Sequence, residues 1–295
     1  MKAAVTALEI LRRTLAYPDW RGRLFYGLLR AIFAGVPFRR RLILDALKVS
    51  FPDQDERWRK ATLRGIYRHF SWMIVEFLAA VNDPSLVNKM AVQTEGRDVL
   101  DRLKAEKKGC FILTGHFSNW EICGAWLPQN GYPMMPAVRD SDDPDFAELI
   151  ENYRSSLGEK TLRKGTANVR RMIRLARSGA MIALLADQDA GPHAVPVTFL
   201  NRRTTMVEGP AALSLTAEVP LIAIYSLRLA PFKYKIIIKP PLNADLEGRS
   251  IEHVAALTRC ANAVLEDMVR LAPEQWFWFH RRWKTDPDRP GVKMQ

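Results

Sequence analysis

The chain has 295 residues, 48% of them hydrophobic and 26% charged, enough apolar material for one large α/β domain with a smaller appendage. Its three cysteines, Cys110, Cys123 and Cys260, lie far apart, which excludes a C-x-x-C metal or redox site; with no secretory signal ahead of them, reduced thiols in a cytoplasm-facing protein are expected. A formal charge of +12 requires an anionic partner, and residues 1–72 carry 15 Lys+Arg against 6 Asp+Glu, so most of the excess sits in the first quarter.

That quarter predicts helices near 3–16, 20–35, 39–50 and 54–82. The first, beginning "MKAAVTALEIL" and ending at Arg12-Arg13, suits an anchor helix rather than an export signal. In the second, Phe25, Leu28, Leu29, Ile32, Phe33 and Val36 recur at helical spacing, with Arg21, Arg23, Arg30 and Arg39-Arg40-Arg41 around them. The apolar stretch is too short, and Arg30 too central, for a span of about 20 residues, so a helix lying on an anionic membrane surface is expected. The alternative is that the same face packs into the protein's own core.

After Asn82-Asp83-Pro84 the rhythm alternates. Strands are predicted at 110–114, 134–138, 180–186, 220–227 and 233–239, and helices near 96–106, 118–128, 143–157, 166–177, 208–217 and 250–270. Strands that run apolar throughout, between helices, imply an α/β fold: a mostly parallel central sheet flanked by helices, preceded by an N-terminal helical membrane-associating segment. The expected division is a basic helical region over 1–83, an α/β domain over 84–285 and a frayed tail over 286–295. In such a sheet, ligands gather at the carboxyl ends of strands.

Two stretches stand at such ends. In "GCFILTGHFSNWEICG" (109–124), His116 follows a buried strand and Gly115. Ser118 and Glu121 also spell the S-x-x-E capping box, in which the serine caps a new helix and the glutamate reaches back to its amide. Residues five apart on one helix differ by about 140° around the axis, so His116 and Glu121 meet only if the histidine lies in the turn before the helix. A histidine steered by a carboxylate is a general base for an alcohol. The chain has no G-x-S-x-G, G-x-x-x-x-G-K-[ST], H-E-x-x-H or G-x-G-x-x-G motif, which leaves direct transfer to an acceptor hydroxyl as the reading of a base without a protein nucleophile. In the second stretch, Asp187, Gln188 and Asp189 follow "AMIALLA" and suit a sugar or headgroup hydroxyl, an arginine clamp, or only a turn before Ala190-Gly191. A metal site there would need several further oxygen ligands, which the sequence does not identify.

Several blocks in order resemble the lysophospholipid-acyltransferase superfamily, and within it the late acyltransferases of lipid A biosynthesis, the lauroyl and myristoyl transferases. They are "DALKVSFPD" (45–53), Glu76 in "SWMIVEF", "TGHFSNWE" (114–121), Arg139, "YRSSLG" (153–158), "LLADQDAG" (184–191), "EGPAALSL" (208–215) and "PEQWFWFHRRWK" (273–284). The resemblance implies that His116 is the base and Glu121 its orienting acid, and that Arg139 and Arg154 are cationic site residues able to grip a phosphate or an oxyanion. Asn119, Asp187 and Asp189 join them as substrate-contacting candidates. It further implies an acyl carrier protein thioester as donor, an anionic glycolipid acceptor of lipid A type, and no metal or redox cofactor. The implied location is the cytoplasmic face of the inner membrane of a Gram-negative bacterium.

The chain departs from the family in reading "HAVPVTFLNRR" (193–203) and "AVRDSDDP" (137–144), changes that bear on acyl length and acceptor rather than on the base. The alternatives are an acyltransferase for another glycolipid, a glycerophospholipid or an aminolipid, drawing if need be on acyl-CoA, and a non-catalytic basic protein binding membrane or nucleic acid. No nucleic-acid motif accompanies the latter. His69, His193, His253 and His280 are expected in solvent or behind the site, and "WFWFHRRW" (276–283) suits either a core or a membrane interface.

Overall fold

A computed structural model describes residues 2–36, 38–138, 143–163, 166–243, 246 and 248–288. Four helices come first: α1 (Lys2–Leu15), α2 (Trp20–Gly35), α3 (Arg40–Ser50) and α4 (Glu56–Asn82). Then follow α5 (Leu86–Met90), β1 (Ala91–Glu95), α6 (Arg97–Ala105), β2 (Cys110–Thr114), α7 (Trp120–Gln129), β3 (Met134–Val138) and α8 (Pro144–Ser156). The remainder is β4 (Leu162–Arg163), α9 (Thr166–Arg177), β5 (Met181–Leu185), β6 (Val195–Phe199), β7 (Arg202–Met206), α10 (Gly209–Ala217), β8 (Leu221–Ala230), β9 (Lys233–Ile238), α11 (Ile251–Leu271) and a single 3-10 turn at Pro273–Gln275.

Seven strands form one sheet in the order β1-β9-β8-β2-β5-β3-β4. Strands β8, β2, β5, β3 and β4 run parallel; β9 is antiparallel to β8 and parallel to β1. The α/β expectation therefore holds, with an antiparallel junction toward one edge. Side chains of the central strands alternate between two cores, as the pleat requires: Phe111, Leu113, Ile182 and Leu184 enter one, and Cys110, Ile112, Met181 and Ala183 the other. Helix α4 contributes to both, through Leu63 and Ile66 on one side and Val75 and Leu78 on the other.

The apolar face expected of α2 divides in two. Phe25 is buried, Phe33 stacks on Tyr67 at 5.3 Å and Tyr26 on Trp72 at 4.3 Å. Trp20, Leu24, Leu28, Ile32 and Val36, spaced by four, stay exposed along the opposite side. Part of the face packs inward and part forms an outer stripe, so neither sequence alternative describes it alone. No helix among the described residues is long and apolar enough to cross a membrane.

Four strands and the short helix α5 escaped the periodicity. Strand β1, "AVQTE", is mostly exposed and carries little apolar signal. Strand β4 has two residues. Strands β6 and β7 make a hairpin in which Phe199 faces Arg202 across a two-residue turn, Leu200-Asn201, with φ of 48° and 66°. Pro196 and two arginines hide that alternation in the sequence. The aromatic tail is core: Trp276, Trp278, Phe279 and Trp283 are buried. The expected tail beyond Asp288 lies outside the described residues, whereas Asp288 itself pairs with Arg203 at 3.1 Å.

One buried ion pair ties α4 to the antiparallel edge. The Glu76 carboxylate, wholly buried, accepts from Arg228 Nη1, from the Phe232 amide at 2.6 Å and from the Tyr234 hydroxyl. Removing the carboxylate strands a buried guanidinium, so Glu76→Ala should lower stability by about 3–5 kcal/mol in urea unfolding. A loss below about 1 kcal/mol, the level of a surface pair, would contradict this reading.

Candidate active site

The parallel register of β2 and β5 runs from Cys110 opposite Met181 to Thr114 opposite Leu185. Carried two residues past the carboxyl ends, it sets His116 beside Asp187. His116 Nδ1–H donates to Asp187 Oδ1 at 2.8 Å, and the His116 amide donates to Oδ2 at 2.8 Å. The Trp276 indole N–H donates to Oδ2 at 3.0 Å. Asp187 is wholly buried. Burial alone would raise its carboxyl, but the His116 charge and hydrogen bonds outweigh that and hold it well below the ordinary carboxylate range. An ionised Asp187 fixes the proton on Nδ1 and leaves Nε2 as the basic nitrogen, and Nε2 has no protein partner among the described residues. Gly115 leaves room for this approach: a Cβ there would crowd Asp187, at 3.1 Å from both its Cβ and Cγ.

Asp187, not Glu121, is therefore the carboxylate on the imidazole. The reason lies in how α7 begins. Ser118 adopts φ of 53°, its amide donates to Gln275 O at 2.7 Å, and Phe117 bridges to Trp276. The helix consequently starts one residue later than a capping box demands. Asn119 is the N-cap, accepting from the Ile122 amide at 3.2 Å, and Ser118 Oγ is buried without a partner. Glu121 turns instead to Arg154, which donates from Nε at 2.9 Å and from Nη2 at 2.6 Å in a bidentate pair. Burial would lower the Arg154 guanidinium, yet Glu121 beside it raises it above its ordinary value.

Trp120 links the two halves. Its ring meets that of His116 edge-on at 5.0 Å, and its indole N–H donates to Glu121 Oε1 at 3.0 Å. Phe277 closes the other side of His116 at 5.8 Å between ring centroids, and its amide donates to His116 O at 2.9 Å. These two aromatics lie inside quoted sequence blocks but have no titratable group to mark them out. Behind the turn, Arg228 Nε donates to His69 Nδ1 at 3.1 Å, so His69 carries its proton on Nε2 and donates it to Ser118 O at 3.2 Å. Burial, then the Arg228 charge, keeps His69 neutral.

A cavity of about 270 Å³ opens over this arrangement, lined among others by His116, Trp120, Val138, Arg154, Gln188 and Asp189. Arg154 is among the lining residues, and Nη1 is the one guanidinium nitrogen that Glu121 does not engage. Asp189 reaches the cavity wall but its carboxylate is held by Thr285, from the amide at 2.9 Å and the hydroxyl at 3.0 Å. Asn119 does not reach it: the residue is wholly buried, with its amide donating to Ser226 Oγ, Nδ2 to the Tyr234 hydroxyl and Oδ1 taken by the cap. Arg139 lies outside the described residues. Among the described residues, no group of three or more His, Cys, Asp or Glu side chains is disposed to hold a metal ion.

The chain matches the family model described as bacterial lipid A biosynthesis acyltransferase over residues 7–285. It is 24% identical over 246 residues to a lipid A biosynthesis palmitoleoyltransferase of Escherichia coli K12, covering 82% of this chain and 77% of that one. To the lipid A biosynthesis lauroyltransferase of the same organism it is 25% identical over 277 residues, covering 90% and 86%. A phosphatidylinositol mannoside acyltransferase of Mycobacterium tuberculosis H37Rv is 22% identical over 218 residues, covering 73% and 67%.

A further acid crowds the Glu121–Arg154 pair. Glu159 is buried against Gly124 of α7, where a Cβ would come within 3.3 Å of both its oxygens, and its Oε1 lacks a partner. Burial, then repulsion from Glu121, lifts its carboxyl well above the ordinary range against the pull of Arg154. A raised folded-state value means stability that is full below the unfolded value of about 4.3 and is lost as pH climbs through the raised one. Glu159→Gln should therefore raise the urea midpoint above that of the parent near pH 8, and the advantage should vanish by about pH 4. A midpoint equal to the parent's at both pH values would show that the carboxyl ionises freely.

Proposed function

The chain belongs to the bacterial lipid A biosynthesis acyltransferase family, and from that premise we propose that it moves a fatty acyl group from an acyl carrier protein thioester to a hydroxyl of a lipid A precursor. What carries this reading is the His116 ring, clamped at Nδ1 by a buried carboxylate, with Nε2 unpartnered among the described residues, and lining a cavity together with Arg154. The acceptor hydroxyl gives its proton to Nε2 as its oxygen attacks the thioester carbonyl. Arg154, through Nη1, receives the charge of the tetrahedral intermediate, and Asp187 stabilises the imidazolium without taking the proton. Collapse breaks the carbon–sulfur bond, and the imidazolium returns its proton to the departing thiolate. Glu121 acts on this path by aiming Arg154. Arg139, which follows Val138 in the sequence, is a second candidate cation on the family resemblance.

A peripheral place on the cytoplasmic face of the inner membrane follows from the same reading. The outer stripe of α2, from Trp20 to Val36, supplies apolar contact, and the basic first quarter supplies attraction to anionic lipid. The same surface charge would attract an acidic donor protein. The mycobacterial relative keeps a mannosylated lipid as a rival acceptor.

The test is to incubate the full chain with acyl carrier protein thioesters of graded length and either a lipid A precursor or a phosphatidylinositol mannoside, and to weigh the products. Acylated lipid A precursor is the expected product, and His116→Ala should lower its rate at least about 10²-fold with an unchanged thermal melt. A near-parental rate in that variant would remove His116 as the base, and acylation of the mannoside alone would replace the acceptor.

A further inference from the structure

Beside the catalytic cavity lies a second, shallower basin of about 530 Å³. Gln188 and Asp189 line both, so this pair of residues is the wall between them. The basin is cationic. Arg39 enters from the start of α3, and Arg281 and Lys284 from the segment after the aromatic core. None of the three makes an ion pair with a described residue, whereas Arg12, Arg97, Arg154, Arg203 and Arg228 all do. The one acid on the wall, Asp189, is turned to Thr285 by two hydrogen bonds at 2.9 and 3.0 Å.

Arg39 is also held in place at a cost. Its backbone has φ of 52°, an uncommon conformation for a long side chain, and its guanidinium donates to the Phe279 carbonyl. His280 adds a buried ring nitrogen: Nδ1 donates to Phe277 O at 2.6 Å, and Nε2 has no partner. Three like charges gathered from two separate segments suit an anion with several acceptor oxygens, and a phosphate presents oxygens in more than one direction. Val36 and Phe38, both exposed, shortly precede Arg39 in the chain.

From this geometry we infer that the basin binds a phosphate group of the lipid acceptor, with Arg39, Arg281 and Lys284 as its ligands, while the acceptor's hydroxyl reaches His116 across the Gln188–Asp189 wall. This inference rests on the acyltransferase reading and adds to it the residues that hold the acceptor's phosphate. A phosphate could also come from the prosthetic arm of the thioester donor. The exposed apolar residues Val36 and Phe38, next to Arg39 in the chain, favour the lipid, because a donor's arm needs no such surface.

The test uses the full chain and the double variant Arg281→Gln/Lys284→Gln, both sites being exposed, with one glycolipid acceptor offered phosphorylated or enzymatically dephosphorylated. The parent chain should prefer the phosphorylated acceptor by at least about tenfold in kcat/KM, and the preference should fall to near parity in the variant. A variant that keeps the parental preference, or whose defect lies in KM for the donor, overturns the assignment. Co-sedimentation with phosphatidylcholine vesicles carrying either acceptor reads the basin without catalysis. Phosphate-dependent binding by the parent, lost in the variant, supports the basin even if no acyl transfer is detected, a result that would defeat the acyltransferase reading alone. Acyl transfer with no phosphate preference would do the reverse.

Discussion

The hydrogen bond between Asp187 and His116 is the constraint on which the site depends, and it follows from the pairing of two strands. Strands β2 and β5 are neighbours in parallel register, so the first polar residues past their carboxyl ends lie side by side. An ionised carboxylate in that interior is costly unless its charge is neutralised and its lone pairs are filled. Two donors from His116 and one from Trp276 do this. The result defines the tautomer, the direction of the ring and the position of the free nitrogen. The aromatic core around Trp276 thus has a polar purpose as well as an apolar one.

Buried carboxylate–cation pairs recur around this centre, each joining two separate elements. Glu121–Arg154 joins the first turn of α7 to α8, and Glu76–Arg228 joins α4 to β8. Through His69 the second pair reaches the carbonyl of Ser118, so the left-handed residue in the turn after His116 is braced from behind. The H-x4-E spacing acquires a physical meaning here. The histidine lies in the turn, Trp120 crosses between, and the glutamate sits one step into the helix. There it holds an arginine across the cavity from the imidazole rather than holding the imidazole.

Much of the frame was legible in the residues. The apolar runs "CFILT" and "MIALL" marked central strands, and the polar residues that follow them marked the ends where a site forms. Lateral order was not legible, because nothing in a strand's composition names its neighbour; this is why Glu121, near in sequence, was expected on the ring in place of Asp187. Asn119 was expected to face a substrate because it sits inside the site block, but a short polar side chain at a helix start is equally a cap, and that is its place here. The α2 face shows a similar ambiguity. Periodicity records that residues are apolar, and only packing against Tyr67 and Trp72 separates the buried half from the exposed stripe.

The most direct measurement of the central claim is the ¹⁵N spectrum of the His116 imidazole in the full chain, assigned by comparison with His116→Gln, at a pH where the ring is neutral. A ring protonated at Nδ1 and bare at Nε2, with the Nδ1 proton shifted downfield by a carboxylate partner, is the predicted result. A ring protonated at Nε2, or one exchanging freely between tautomers, would contradict it.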